Sequence, residues 1–100
     1  MTRQRLRALV PPGLALAFRS LHPRLKRQVR ASVSHILVNP RVGKPLTLDL
    51  AGYWSYRIGR FRLIYRIGQN HLVELISFGP RETIYEETSR LIAKQSGPKR

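Results

Sequence analysis

Leu6, Ala8 and Val10 alternate with Arg5, Arg7 and Leu9 near the start of the chain, a period of two that predicts a short first strand over residues 5–10. Pro11 and Pro12 end it, and Pro12 suits the first turn of a following helix. Leu14, Phe18 and Leu21 then recur at i, i+4, i+7, the spacing of a short helix. A second helix follows in "HPRLKRQVRASVSHILVNP". Leu25, Val29, Val33, Ile36 and Leu37 form its apolar stripe, Arg24, Arg27, Arg30 and Ser34 lie off it, and Asn39-Pro40 ends it. Two amphipathic segments separated only by His22-Pro23 predict a helical hairpin.

After the loop "PRVGKP", Leu46, Leu48 and Leu50 alternate and lead toward a strand. The apolar parity then flips: Trp54, Tyr56 and Ile58 are even, whereas Phe61, Leu63, Tyr65 and Ile67 are odd. A flip at Gly59-Arg60 requires a two-residue hairpin loop, and Gly in its first position suits a type II′ turn. Ile58 then faces Phe61, Tyr56 faces Leu63 and Trp54 faces Tyr65, a face able to pack on the helices. "GQNH" is the next turn, "LVELISF" (72–78) a further strand broken by Gly79-Pro80, and "RETIYEETSRLIAK" a closing helix. That helix carries Ile84, Thr88, Leu91 and Ile92 on one side and Glu82, Glu86 and Glu87 toward its positive end. The expected fold is α+β in the order β-α-α-β-β-β-α: a small antiparallel sheet, an N-terminal helical hairpin packed on one face and a C-terminal helix. Residues 1–100 read as one domain, with 95–100 as a flexible tail.

Charge changes the picture. Nineteen Lys and Arg against five Asp and Glu give a formal +14, and no acidic residue precedes Asp49. So large an imbalance repels itself in the compact state and points to a polyanion or an acidic partner. The absence of cysteine excludes disulfides, thiolate metal sites and a cysteine nucleophile, and fits a cytoplasmic location. No apolar run reaches membrane-spanning length, and Pro11, Pro12 and Gly13 interrupt the one patch that could belong to a signal peptide.

The hairpin places its arginines together. Arg57 lies across from Arg62 and Ser55 across from Ile64, and like charges directly opposed in a sheet are destabilising. A solvated polar face is the simple reading of one such pair. The next strand adds to it: carried through the "GQNH" turn, Arg62 is expected beside Ser77, which brings Arg81 to the same end of the sheet at a helix start. Tyr85 follows at i+4 on the same side of that helix. Three guanidiniums and a phenol beside an open sheet face make an anion site, and a phosphodiester suits it.

The pattern "GKPL", "YRIGRFRLIY", "GPR" and then Tyr85 resembles the RelE/ParE superfamily of toxin-antitoxin toxins, particularly the RelE-type messenger-RNA interferases. The resemblance covers roughly residues 20 to 92, and the family fold, a small antiparallel sheet with a helical hairpin on one face, agrees with the element order. It implies that Arg62 stabilises the phosphate, that Arg81 is the proposed general acid to the leaving oxygen, and that Tyr85 stacks on or deprotonates the substrate. Two lysines of founding members fall at Ser55 and Arg57. Arg57 keeps the charge and Ser55 does not, so the general base stays open. The N-terminus, basic and followed by "PPG", departs from the family's clear opening strand.

The implied reaction is cleavage of messenger RNA on the ribosome by its own 2′-hydroxyl, with no metal or cofactor required, and the implied partner is an acidic antitoxin in a hetero-oligomer. Further RNA contacts are expected from Arg24, Arg27 and Arg30 on the second helix, from Arg60 and Arg66, and from Tyr53 as a stacking ring. His22, His35 and His71 lack metal-ligand spacing and read as structural. Two other readings stand beside this one: a ParE-like inhibitor of DNA gyrase, and a basic RNA-binding module without catalysis.

Overall fold

The computed structural model describes residues 6–95. Its elements are β1 (Arg7–Leu9), α1 (Pro12–Arg19), α2 (Pro23–Val38), β2 (Lys44–Pro45), β3 (Tyr53–Ile58), β4 (Phe61–Ile67), β5 (Leu72–Pro80) and α3 (Arg81–Gln95), with single 3₁₀ turns at Pro40–Val42 and Leu48–Leu50. The strands form one sheet in the order β1-β5-β4-β3-β2. The α+β class and the element order agree with the sequence reading, with three refinements. The sheet is mixed, because β1 pairs parallel with β5 after the helical hairpin carries the chain across. The expected "LTLDL" strand is instead a 3₁₀ turn in which only Leu50 is buried, and the strand lies just before it, at Lys44–Pro45. The helix also runs on through Gln95, so most of the expected tail, like Arg5 of the first strand, lies outside the described residues.

The two sheet faces have different partners. On one face, Val29 and Ile36 of α2 pack against Ile58, Leu63, Tyr65, Val73 and Leu75. Trp54 stacks on Tyr65 as a core pair, with ring centroids 6.4 Å apart. Phe78 stacks on Phe61 and meets Phe18 of α1 edge to face. On the other face, the buried Ile64, Ile84 and Thr88 mark where α3 lies over the sheet. Gly79 permits that approach: a Cβ there would come within 3.0 Å of Ile84 Cδ1. The Thr88 hydroxyl is 2.6 Å from Ser77 Oγ and donates to the Ile84 carbonyl, so this buried polar group is satisfied.

The β3–β4 register is the expected one, with Arg57 opposite Arg62 and Ser55 opposite Ile64. Gly59 alone takes a positive φ in that loop, as a II′ turn requires. The β4–β5 register departs by two positions: Arg62 pairs with Gly79, and Ser77 pairs with Ile64. One position comes from the turn, which holds three residues between Gly68 and Leu72, with Asn70 and His71 both at positive φ. The other comes from an irregularity between Ile64 and Tyr65, where β5 carries one extra residue. The shift extends β5 to Pro80 and starts α3 immediately at Arg81, whose N–H donates to the Arg60 carbonyl at 3.0 Å. Arg81 is thus tied to the hairpin tip.

Candidate active site

β3, β4 and β2 contribute to the site from one sheet face, and α3 leans over it. Arg57 and Arg62 project from opposed positions near the hairpin tip, and Arg81 arrives from the first residue of α3. Tyr85, one helical turn further, turns its hydroxyl to Ser55 Oγ at 3.0 Å. Ser55 is buried, so it fixes the phenol without occupying the open space. All five residues line one recess of about 490 Å³. A second recess, of about 770 Å³, opens on the hairpin-tip side, and Arg57, Arg62 and Arg81 line both. The guanidiniums of those three arginines lie where an anion can reach them from two directions.

Lys44 is the residue that sequence reasoning missed. It sits directly opposite Ser55 on β2 and lines the Tyr85 recess. Residues opposite one another in an antiparallel pair have Cβ atoms roughly 5 Å apart on one face, which puts the Lys44 side chain on the face that carries the Ser55–Tyr85 hydrogen bond. The signal was present in "GKP", but with "LTLDL" taken as the strand Lys44 fell into a loop.

The other proposed contacts divide. Arg60 lines the hairpin-tip recess and belongs with the cluster. Arg66 does not. Its guanidinium binds Glu74, with Nε 2.9 Å from the carboxylate, and lies 5.8 Å above the Tyr53 ring. Hydrogen bonding to Glu74 holds the Arg66 pKa above the usual range despite partial desolvation. Arg66 lies four positions along β4 from Arg62, about 13 Å at the usual strand rise. Arg66 and Tyr53 therefore form a separate group, and Arg66–Glu74 is the only ion pair among the described residues. Arg24, Arg27 and Arg30 are exposed on α2, remote from the Ser55 face. The histidines hold structure: His22 Nδ1 accepts the Arg24 N–H at 3.1 Å to cap α2, His35 hydrogen-bonds Tyr56, and His71 makes the β4–β5 turn.

Comparison with known proteins agrees with this fold. A profile of the ParE-like toxins of type II bacterial toxin-antitoxin systems matches residues 9–89. Toxin RelG of Mycobacterium tuberculosis is 53% identical over 36 residues, 36% of this chain and 41% of RelG. Toxin RelE of the same organism is 44% identical over 52 residues, 50% of this chain and 54% of that toxin. The chain thus spans about half, or less, of the length of these curated relatives. Among solved structures, a chain of the M. tuberculosis RelBE2 toxin-antitoxin complex superposes with a TM-score of 0.67 at 31% identity, covering 78% of this chain and all of that one. A mutant of E. coli toxin RelE in the free state reaches 0.71 at 18% identity over 89% of this chain and 99% of its own, a likeness of fold. With the profile spanning most of the chain and the arginine-rich hairpin intact, this chain belongs to the ParE-like toxins of type II toxin-antitoxin systems, within the RelE/ParE superfamily.

Proposed function

We propose that the protein is an endoribonuclease that cuts messenger RNA on the ribosome by directing a 2′-hydroxyl onto the adjacent phosphorus. The observation that carries this reading is the recess shared by Arg57, Arg62, Arg81 and the Ser55-bound Tyr85. Attack forms the 2′-O–P bond, breaks the P–O5′ bond and leaves a 2′,3′-cyclic phosphate and a 5′-hydroxyl. A proton leaves the 2′-oxygen. Tyr85 Oη, held by Ser55, is the base that accepts it, and solvent water supplies the proton taken up by the departing 5′-oxygen. Arg57 and Arg62 stabilise charge on the phosphoryl oxygens, in a setting where preformed donors act most strongly. Arg81 faces the leaving side; because a guanidinium stays protonated in proteins, it serves better as a charge clamp than as the acid.

Arg24, Arg27, Arg30 and Arg60 supply phosphate contacts that hold the ribosome-bound RNA. The partner that silences the protein is an acidic antitoxin in the same cytoplasm. Chains of similar fold were solved in RelBE2 and RelBE toxin-antitoxin complexes, and a net charge of +14 calls for such a counterpart.

Mapping RNA ends after brief induction in a bacterium tests the reaction. The expected result is new 5′-hydroxyl ends within translated messages. DNA breaks without RNA cleavage would instead favour gyrase inhibition, and RNA binding with neither would leave a non-catalytic module. Two variants refine the assignment. Tyr85→Phe should reduce the single-turnover rate by about 10²-fold, the scale of lost general-base catalysis, with binding to ribosomes retained. A Phe variant as fast as wild type confines Tyr85 to stacking. The Arg24/Arg27/Arg30→Ala triple variant should lose affinity and flatten the salt dependence by roughly 0.7 log units per contact removed. Its rate at saturation should stay near wild type; an equal fall in that rate would place α2 in the reacting site.

A further inference from the structure

A cleft of about 310 Å³ lies between the helical hairpin and the face of the sheet that packs on α2. Its floor is the buried pair Val29 and Leu75, and Val10, Phe18 and Val33 form apolar walls. Arg19 comes from the last turn of α1, and Lys26 and Arg30 from successive turns of α2. Positions 26, 29, 30 and 33 are spaced i, i+3, i+4, i+7, so two cations and two valines share one helical stripe. Arg19 and Arg30 are exposed, which sets them at the mouth, whereas Lys26 is half-buried. Lys26 and Arg30 also repel each other at i, i+4. Nothing on the hairpin neutralises them: no acidic residue precedes Asp49, and the only ion pair among the described residues is Arg66–Glu74. No residue of this cleft lines either arginine recess.

We infer that this cleft binds a small amphiphilic anion, a carboxylate on an alkyl chain, at a site separate from the arginine cluster. Its volume is at the lower end for small-ligand clefts, and apolar walls with a few converging polar groups are their usual lining. An alkyl chain laid between Phe18, Val33 and Leu75 leaves water, and each methylene so buried raises affinity roughly fourfold. The carboxylate answers the charge. A half-buried ammonium without a counter-ion is costly, and an anion beside Lys26 offsets both its lost hydration and its repulsion from Arg30. A phosphodiester chain fits poorly, because the cations ring the opening and the depth of the cleft is apolar. Three positive side chains likewise disfavour an amphiphile with a cationic head. The site stands whether or not the protein cuts RNA.

The test titrates the full chain with decanoate, below its micelle-forming concentration, and follows methyl and backbone signals by NMR. Decanoate should move Val29, Val33 and Leu75 saturably, with contacts from its chain to the Phe18 ring. Octanoate, two methylenes shorter, should bind about fifteenfold more weakly, and acetate should leave these residues unmoved. Decyltrimethylammonium carries the same chain with the opposite charge and should bind at least tenfold more weakly than decanoate. Inorganic phosphate should move residues near Arg62 and Arg81 and not the cleft. Lys26→Met keeps the stem without the charge and should weaken decanoate at least fivefold. Val33→Trp fills the cleft and should abolish binding, with unchanged phosphate shifts at Arg62 and Arg81 showing that the fold is intact. If that variant does not fold, Lys26→Met and the chain-length series decide. Shifts spread over the basic surface without dependence on chain length, shifts confined to Arg62 and Arg81, or equal binding by wild type and Lys26→Met would overturn the site. So would an acidic peptide that moves Val29 and Val33 where decanoate does not, since the cleft would then be a seat for a protein segment.

Discussion

Arg62→Ala and Arg81→Ala are each expected to abolish growth arrest on induction while leaving the melting temperature unchanged or slightly higher. Arg62 faces Arg57 across the hairpin, Arg81 lines the same two recesses, and none of the three forms an ion pair among the described residues. Directly opposed like charges weaken a sheet by a few tenths of a kcal/mol up to about 1 kcal/mol. Removing one guanidinium relieves that repulsion. The lost contacts are few: Arg62 donates one hydrogen bond, to the Phe61 carbonyl next to it at 3.2 Å. In the proposed reaction the same residues would stabilise charge that develops on the phosphate, and deleting one preorganised donor typically slows such a step by about 10²–10³-fold. That is enough to let cells outgrow the toxin. The measurement pairs colony counts after induction with thermal melts of the purified variants. Variants that stay folded and toxic would rule out the ribonuclease assignment and make gyrase inhibition the first alternative.

How much of this could be read from the sequence depended on whether the signal was local. The β3–β4 hairpin was legible because parity flips only once, at Gly59-Arg60, and a two-residue loop then dictates every cross-strand pair. Arg57 opposite Arg62 followed from that alone. The convergence of Arg62, Arg81 and Tyr85 was also reached, although by a register two positions off. A three-residue turn with Asn70 and His71 at positive φ and an extra residue in β5 have no periodic signature, since each changes the count without changing composition. The site survived the error because Arg81 is anchored to Arg60 at the hairpin tip. Lys44 and its two-residue strand were not legible. β2 is too short to show alternation, whereas "LTLDL" shows it and turns instead, with Leu48 at φ 56 and 89% exposed. The pairing of Arg66 with Glu74 was likewise hidden, because it depends on the β4–β5 register.

The core residue that holds Lys44 in place is Tyr65, and its loss should have the largest effect on stability. Tyr65 is fully buried, donates to the Pro40 carbonyl at 2.6 Å and accepts the Gly43 N–H at 3.1 Å. It therefore joins the α2–β2 connection to the centre of the sheet. Gly43 must stay small, since a Cβ would meet the Tyr65 hydroxyl at 2.6 Å and the Ser55 carbonyl at 2.9 Å. Tyr65→Phe leaves the ring packed but strips two half-buried backbone groups of their partner, at a cost of about 1–3 kcal/mol. Tyr65→Ala removes the ring as well and should cost about 3–5 kcal/mol, a large share of the roughly 5–15 kcal/mol that folded domains have. Burial pushes the Tyr65 phenol above its ordinary range, partly opposed by the Gly43 N–H. A pKa raised on folding leaves stability unaffected below the unfolded value of about 10 and lowers it as pH rises further. Phe cannot ionise, so the gap between wild type and Tyr65→Phe should narrow above about pH 10. Urea melts at pH 7 and pH 10.5 measure both effects. A variant as stable as wild type at pH 7 would show that the Pro40–Gly43 connection is held by something other than this hydroxyl.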